Sequence, residues 1–470
     1  MRTACRFVPR LVTIVAAWAS VAAAGAEPNA KPIQPRADGS PFKVACIGDS
    51  ITYGSMVSPG YDDYPTVLGR LLGKRFTTGN FGAVAMNLCK STGYSYFTTQ
   101  QFKDAKAFAP DVVTIMLGTN DAKCGRIKDG KWTVHDEFCR DYAQLIADFQ
   151  NLPSHPSVWV MLPVPACGET AFGIKGSLVE KGVGPAARAV AEKASLGAID
   201  LFTPLRDRPE DFPDDVHPNR QGHARMAQVV YAGLTGQPLI LPAGGVFAGP
   251  VQVKLSSNVA PAEIRYTLDG TEPGDDSTLY SAPLTVKAST TLKAKTFGER
   301  VTKGSRASFV EFKIAAPRPA ATPAATAPGL AYNFYREEAK VLDDPTEAKP
   351  VETGVAADFG KLPHQEEKGC GFLLTGFILV PADGVYAFNI QSYDTSVLFI
   401  DDQMLINNGG SKGLHVCATG QIALAAGRHK IRIIYSLATG NGGLGLRYAG
   451  PGVPLKPVPV SVFSHAPQSK

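Results

Sequence analysis

Three apolar, β-branched runs near the start of the chain each end in a short cluster of small and polar residues. Lys43-Val44-Ala45-Cys46-Ile47 leads into Gly48-Asp49-Ser50-Ile51-Thr52. Phe76-Thr77-Thr78 leads into Asn80-Phe81-Gly82, and Val112-Val113-Thr114-Ile115-Met116-Leu117 into Gly118-Thr119-Asn120-Asp121. A parallel α/β sheet places its active site there, outside the carboxyl ends of the strands. About a hundred residues later comes Asp214-Asp215-Val216-His217-Pro218. Together these segments supply a serine, a histidine, a carboxylate three residues before it and extra hydrogen-bond donors. That is the inventory for acyl transfer.

The rest of the first half agrees with that sheet. Strands are predicted at 43–47, 76–80, 111–117, 157–162 and 197–201, with helices near 63–73, 99–107, 134–151 and 184–195. The clearest helix is 134–151, where Phe138, Tyr142, Leu145, Ile146 and Phe149 recur at helical spacing. A last helix is expected after Pro218, through Ala224 to Leu234. Strands alternating with helices imply a parallel sheet with helices on both faces.

In this arrangement Ser50 sits at a strand-to-helix turn. A serine hydroxyl is a poor nucleophile until a base takes its proton. His217 is the candidate base. Asp214 is placed to hold its other ring nitrogen, although the adjacent Asp215 is an alternative. An isolated Asp-x-x-His-Pro is more often a solvated loop before a helix, Gly82 alone a turn, and Asn120 alone a helix cap. The joint occurrence of four blocks in order favours chemistry. No Gly-x-Ser-x-Gly surrounds Ser50, which argues against the usual α/β-hydrolase lipase arrangement.

These four blocks resemble the SGNH, or GDSL-type, hydrolases, over roughly residues 41–236. The resemblance implies an α/β, flavodoxin-like three-layer domain at 42–236. It also implies catalytic residues Ser50, His217 and Asp214. The oxyanion donors it implies are the Ser50 N–H, the Gly82 N–H and the Asn120 amide. Asp49 and Asp121 are read as loop architecture. Chains with similar blocks are commonly carbohydrate O-acetylesterases, so the expected reaction removes acetyl groups from a glycan through acetyl-Ser50. It requires neither a metal nor an organic cofactor. The alternatives are a lipolytic or thioesterase-type SGNH hydrolase, and a glycan-binding surface protein with a vestigial hydrolase domain.

Past Pro238 the pattern changes to short strands with turns, as in Ile264-Arg265-Tyr266-Thr267-Leu268 before Asp269-Gly270. Ile264 to Pro273 and Leu279 to Leu284 resemble the immunoglobulin-like modules of chitobiases, giving a β-sandwich at 238–314. Residues 315–329 are almost only Ala, Pro and Thr, read as a mobile linker. Residues 330–465, with runs such as Gly376–Pro381, Val385–Ile390 and Ser396–Asp402, resemble the protective-antigen type of β-sandwich. That resemblance makes polysaccharide a candidate partner. Some relatives hold calcium with two adjacent aspartates, where this chain has Tyr393-Asp394.

The N-terminus carries Arg2, Arg6 and Arg10, an apolar run from Leu11 to Ala24, then Ala24-Gly25-Ala26. It reads as a secretory signal peptide cleaved near Ala26, too short to span a bilayer. Residues 27–41 read as a flexible lead-in. The expected location is secreted or periplasmic, with no membrane span. The formal charge of +5 falls to about +2 without the three signal arginines, so nucleic acid is not indicated. Of eight cysteines, Cys5 leaves with the signal and Cys46 lies in a buried strand. The other six are expected to form disulfides in an oxidising compartment, Cys370–Cys417 being the easiest pair to propose.

Overall fold

The computed structural model describes residues 31–466, apart from 169, 171, 261, 338–348, 357–361, 410–415, 439 and 441. The expected signal peptide and residues 27–30 of the lead-in lie outside the described residues.

Five strands form a parallel sheet: β1 (Phe42–Gly48), β2 (Phe76–Gly82), β3 (Val112–Met116), β4 (Ser157–Leu162) and β5 (Gly197–Asp200), in the order β2-β1-β3-β4-β5. The strand order reverses at β1, the switch point at which this topology binds ligands. Gly48 pairs with both Gly82 and Met116. The three strands therefore end level, and the loops after them meet. The main helices are α1 (Ser50–Tyr53), α2 (Tyr64–Leu72), α3 (Gln100–Ala107), α4 (His135–Gln150), α5 (Gly184–Lys193) and α6 (Arg220–Thr235). From α2 to α6, each lies within two residues of its sequence expectation. In α4 the five apolar residues at helical spacing are all buried, and the Tyr142 hydroxyl donates to the Ile115 carbonyl at 2.8 Å. α2 begins as its sequence dictates, with the Asp63 side chain accepting from the Thr66 N–H and Pro65 in the first turn.

The second region packs two sheets around Val253, Leu255, Leu292, Ala294 and Phe312. The third is a larger sandwich of an eight-stranded and a four-stranded sheet around Phe334, Phe372, Phe388, Leu398 and Tyr435. The fold is thus a three-layer α/β domain followed by two β-sandwiches.

Three expectations are corrected. The Ala/Pro/Thr segment is not a free linker. The Arg318 N–H donates to the Ala423 carbonyl at 2.9 Å and the Ala425 N–H returns a bond to Arg318 at 2.9 Å. The Ala321 N–H reaches the Arg428 carbonyl at 2.6 Å, and Ala327–Pro328 pairs with Phe463–His465. Its alanines and threonines leave the backbone unobstructed, so it follows a neighbouring strand instead of solvent. The lead-in is also held. Ile33 is buried, its N–H bonded to the Leu234 carbonyl and its carbonyl to the Thr302 hydroxyl. Nor is any of the expected disulfides present among the described residues. Cys89, Cys139, Cys167 and Cys417 are free thiols, as is the buried Cys46 of β1, and the side chain of Cys124 lies outside the described residues. Cys370 and Cys417 sit on different sheets of the last sandwich, and the Cys417 thiol donates to Asn389 Oδ1 at 2.7 Å. Among the described residues no helix is long and apolar enough to cross a membrane.

Candidate active site

Ser50 opens α1, directly after β1. The turn needs Gly48 because a Cβ there would run into the Thr52 side chain. Asp49 caps the short helix, its carboxylate accepting from the Ile51 N–H at 2.9 Å. Asp214 and His217 lie on the loop that enters α6.

The three side chains form one hydrogen-bonded row. Ser50 Oγ lies 2.8 Å from His217 Nε2, and His217 Nδ1 lies 2.6 Å from Asp214 Oδ2. A carboxylate can only accept, so Nδ1 carries the proton and Nε2 accepts from the serine. Asp214 Oδ1 also accepts from the backbone N–H groups of Val216 and His217, at 3.1 and 2.6 Å. Burial pushes the Asp214 carboxyl up, but the hydrogen bonds from the His217 ring and these amides outweigh it and hold it below its ordinary value. Asp215 points elsewhere, towards Arg447 at 3.6 Å. Burial raises its carboxyl above the ordinary value, opposed by Arg447.

The groups that the sequence nominates as oxyanion donors are placed as follows. The Ser50 N–H is an orphan of the first helical turn. The Asn120 amide lies beside it, held by the Met86 carbonyl at 3.1 Å and reaching Asp49 Oδ2 at a long 3.4 Å. The Gly82 N–H is already committed to Asn80 Oδ1 at 3.0 Å. Gly82 has another reason to be glycine: a Cβ there would collide with the backbone of Thr52 and Tyr53. It lets the end of β2 touch α1. Three residues on, Ala85 is exposed with φ 62°, a left-handed conformation uncommon for alanine. The next residue, Met86, accepts from the Asn120 amide.

Asp121 is architectural. It accepts from the Leu88 and Cys89 N–H groups at 2.8 and 3.0 Å and pairs with Arg126 at 3.1 Å. Asp49 is fully buried, and burial above all raises its carboxyl to about 6. One aromatic neighbour of the site carries no signal in the sequence. Phe172 meets the His217 ring edge-on, centroids 5.3 Å apart, yet is 49% exposed. A cavity of about 590 Å³ lies elsewhere, between α6 and the second domain, and contains none of Ser50, Asp214 or His217. Among the described residues no group of three His, Cys, Asp or Glu side chains is arranged to hold a metal ion.

His223, on α6, is buried with Nδ1 accepting from the Tyr64 N–H at 3.2 Å and Nε2 without a partner. Burial depresses its pKa to about 4. The unfolded chain, titrating near 6.5, then binds the proton first. His223 therefore contributes stability above pH 6.5, and that contribution is lost as pH falls through 4, by up to about 3 kcal/mol. Asp49 acts with the opposite sign, so the comparison must be by difference. His223→Gln should flatten the acid dependence of the unfolding midpoint relative to the natural chain. Parallel dependences between pH 6.5 and 4 would rule the effect out.

Comparison with known families places this geometry. Residues 46–225 match the GDSL-like lipase/acylhydrolase family. The chain carries a GDSL/SGNH acylhydrolase domain. Behind the SGNH domain, residues 242–308 match the chitobiase/β-hexosaminidase C-terminal domain and residues 326–460 the PA14 domain. An acetylxylan esterase of Xylanibacter ruminicola is 31% identical over 213 residues, covering 41% of this chain and 43% of that protein. A multidomain esterase of Ruminococcus flavefaciens is 24% identical over 220 residues, 40% of this chain and 28% of that protein. The chain thus spans less than half the length of these curated relatives. Among solved structures, an acetyl xylan esterase aligns at 22% identity and TM-score 0.33, covering 41% of this chain and 100% of the other.

Proposed function

We propose that the protein is an exported carbohydrate O-acetylesterase acting through an acetyl-Ser50 intermediate. The observation that carries this reading is the continuous Ser50–His217–Asp214 row, which joins the carboxyl end of β1 to the loop entering α6. His217 Nε2 takes the Ser50 proton as Oγ attacks the acetyl carbonyl. Asp214 stabilises the imidazolium that results. The Ser50 N–H and the Asn120 amide are the donors offered to the developing oxyanion. His217 returns the proton to the departing sugar oxygen. Water, losing a proton to the same ring, then attacks the acetyl carbonyl; the bond to Ser50 Oγ breaks, His217 returns the proton to Oγ, and acetate leaves. The relatives named for acetylated xylan and the two appended modules support a glycan as the substrate. Export rests on residues 1–26.

Phe172 offers an exposed aromatic face next to the base, suited to a sugar ring. The test compares hydrolysis of acetylated xylan oligosaccharides, a small acetyl ester and an octanoyl ester. Acetyl esters should be far better substrates than octanoyl. Phe172→Ala should raise KM on the oligosaccharide about fivefold, the worth of one aromatic contact, and leave the small ester nearly unchanged. A preference for octanoyl chains would move the assignment to lipolysis.

A further inference from the structure

The PA14 domain reaches the loop that carries the acid and base. Glu210 and Asn219 bracket Asp214 and His217, and both are buried. The hydroxyl of Thr419, on the strand Val416–Leu424, bonds to both ends of that loop. It donates to the Glu210 carbonyl at 3.0 Å and accepts from Asn219 Nδ2 at 2.6 Å and Asn389 Nδ2 at 3.0 Å. Around it, Gln221 Nε2 donates to the Thr419 carbonyl at 3.0 Å and Gln421 Nε2 to Glu210 Oε1 at 3.1 Å. In the middle of the loop, Asp215 sits at φ 69°, a strained angle for a residue with a Cβ. Its carbonyl accepts from the Cys167 N–H at 2.9 Å, and its carboxylate faces Arg447 of the PA14 domain at 3.6 Å. Burial raises the Cys417 thiol, Asn389 opposes this, and Asp214 is near enough to add to it.

We infer that the PA14 domain positions the catalytic loop, with Thr419 and Arg447 as positioning residues for Asp214 and His217. This rests on the esterase reading of the site. A loop with both ends tied through one hydroxyl has little freedom to move the imidazole off Ser50. Misplacement of such groups by about 1 Å can lower turnover strongly. The domain is then part of the enzyme on every substrate, small soluble esters included.

The experiment uses the full chain. Thr419→Val keeps the volume and removes the hydroxyl; Thr419→Ser keeps the hydroxyl. Arg447→Met tests the second contact at a separate place. On a small acetyl ester, T419V and R447M should lower kcat about tenfold with KM unchanged, and T419S should restore it. Hydrogen–deuterium exchange over residues 211–219 should quicken in T419V and not in T419S, a readout independent of esterase activity. Natural kcat and natural exchange in folded T419V and R447M would overturn the inference. So would a raised KM with kcat intact, which would make this surface a substrate contact. If the natural chain hydrolyses no ester, the esterase reading fails, and the exchange result alone decides whether the loop is clamped.

Discussion

Ser50→Ala in the full chain should abolish acetyl-ester hydrolysis, lowering kcat by about 10⁶-fold, with the unfolding midpoint nearly unchanged. The oxygen removed is 2.8 Å from His217 Nε2 and belongs to a side chain that contributes little to the core. His217→Ala should be about as damaging, and the double variant no worse than either, because the two act as one unit. The measurement is kcat on a small acetyl ester beside a melting curve. Full turnover by a folded Ser50→Ala protein would end the acetyl-serine mechanism.

The second large effect separates two neighbouring carboxylates. Asp214→Asn should lower kcat by about 10⁴-fold, since an amide can present a donor to Nδ1 and stabilise the wrong tautomer. Asp215→Asn should lower it less than tenfold, because the amide oxygen still faces Arg447. The two residues differ by one position and by which way the chain turns at Asp215. The larger loss in Asp215→Asn would reassign the partner.

Much of this arrangement was readable in advance for a definite reason. Periodicity in α4 and the β-branched runs of β1 and β3 report burial, and burial dominates where those elements go. The polar clusters after the strands gave the location of Ser50 and Asn120 because a level sheet end brings successive loops together. What escaped was governed by partners distant in sequence. Composition marks 315–329 as unable to bury a core, and that is so. It says nothing of whether a neighbouring strand will accept its backbone, as Ala423, Ala425 and Arg428 do. Glycine at position 82 implies close approach, and the sequence does not say that the approaching group is the backbone of Tyr53. The cysteines were paired by compartment, whereas Cys417 is satisfied by Asn389.

Gln421 has a further consequence. Its Nε2 holds Glu210 of the SGNH domain while its Oε1 accepts from the Val246 N–H of the second domain at 3.0 Å. One side chain thus joins all three regions. Gene shuffling ordinarily treats such modules as interchangeable cassettes. Here a replaced C-terminal cassette that brought no matching amide to that spot would leave both Glu210 and the Val246 N–H without this partner.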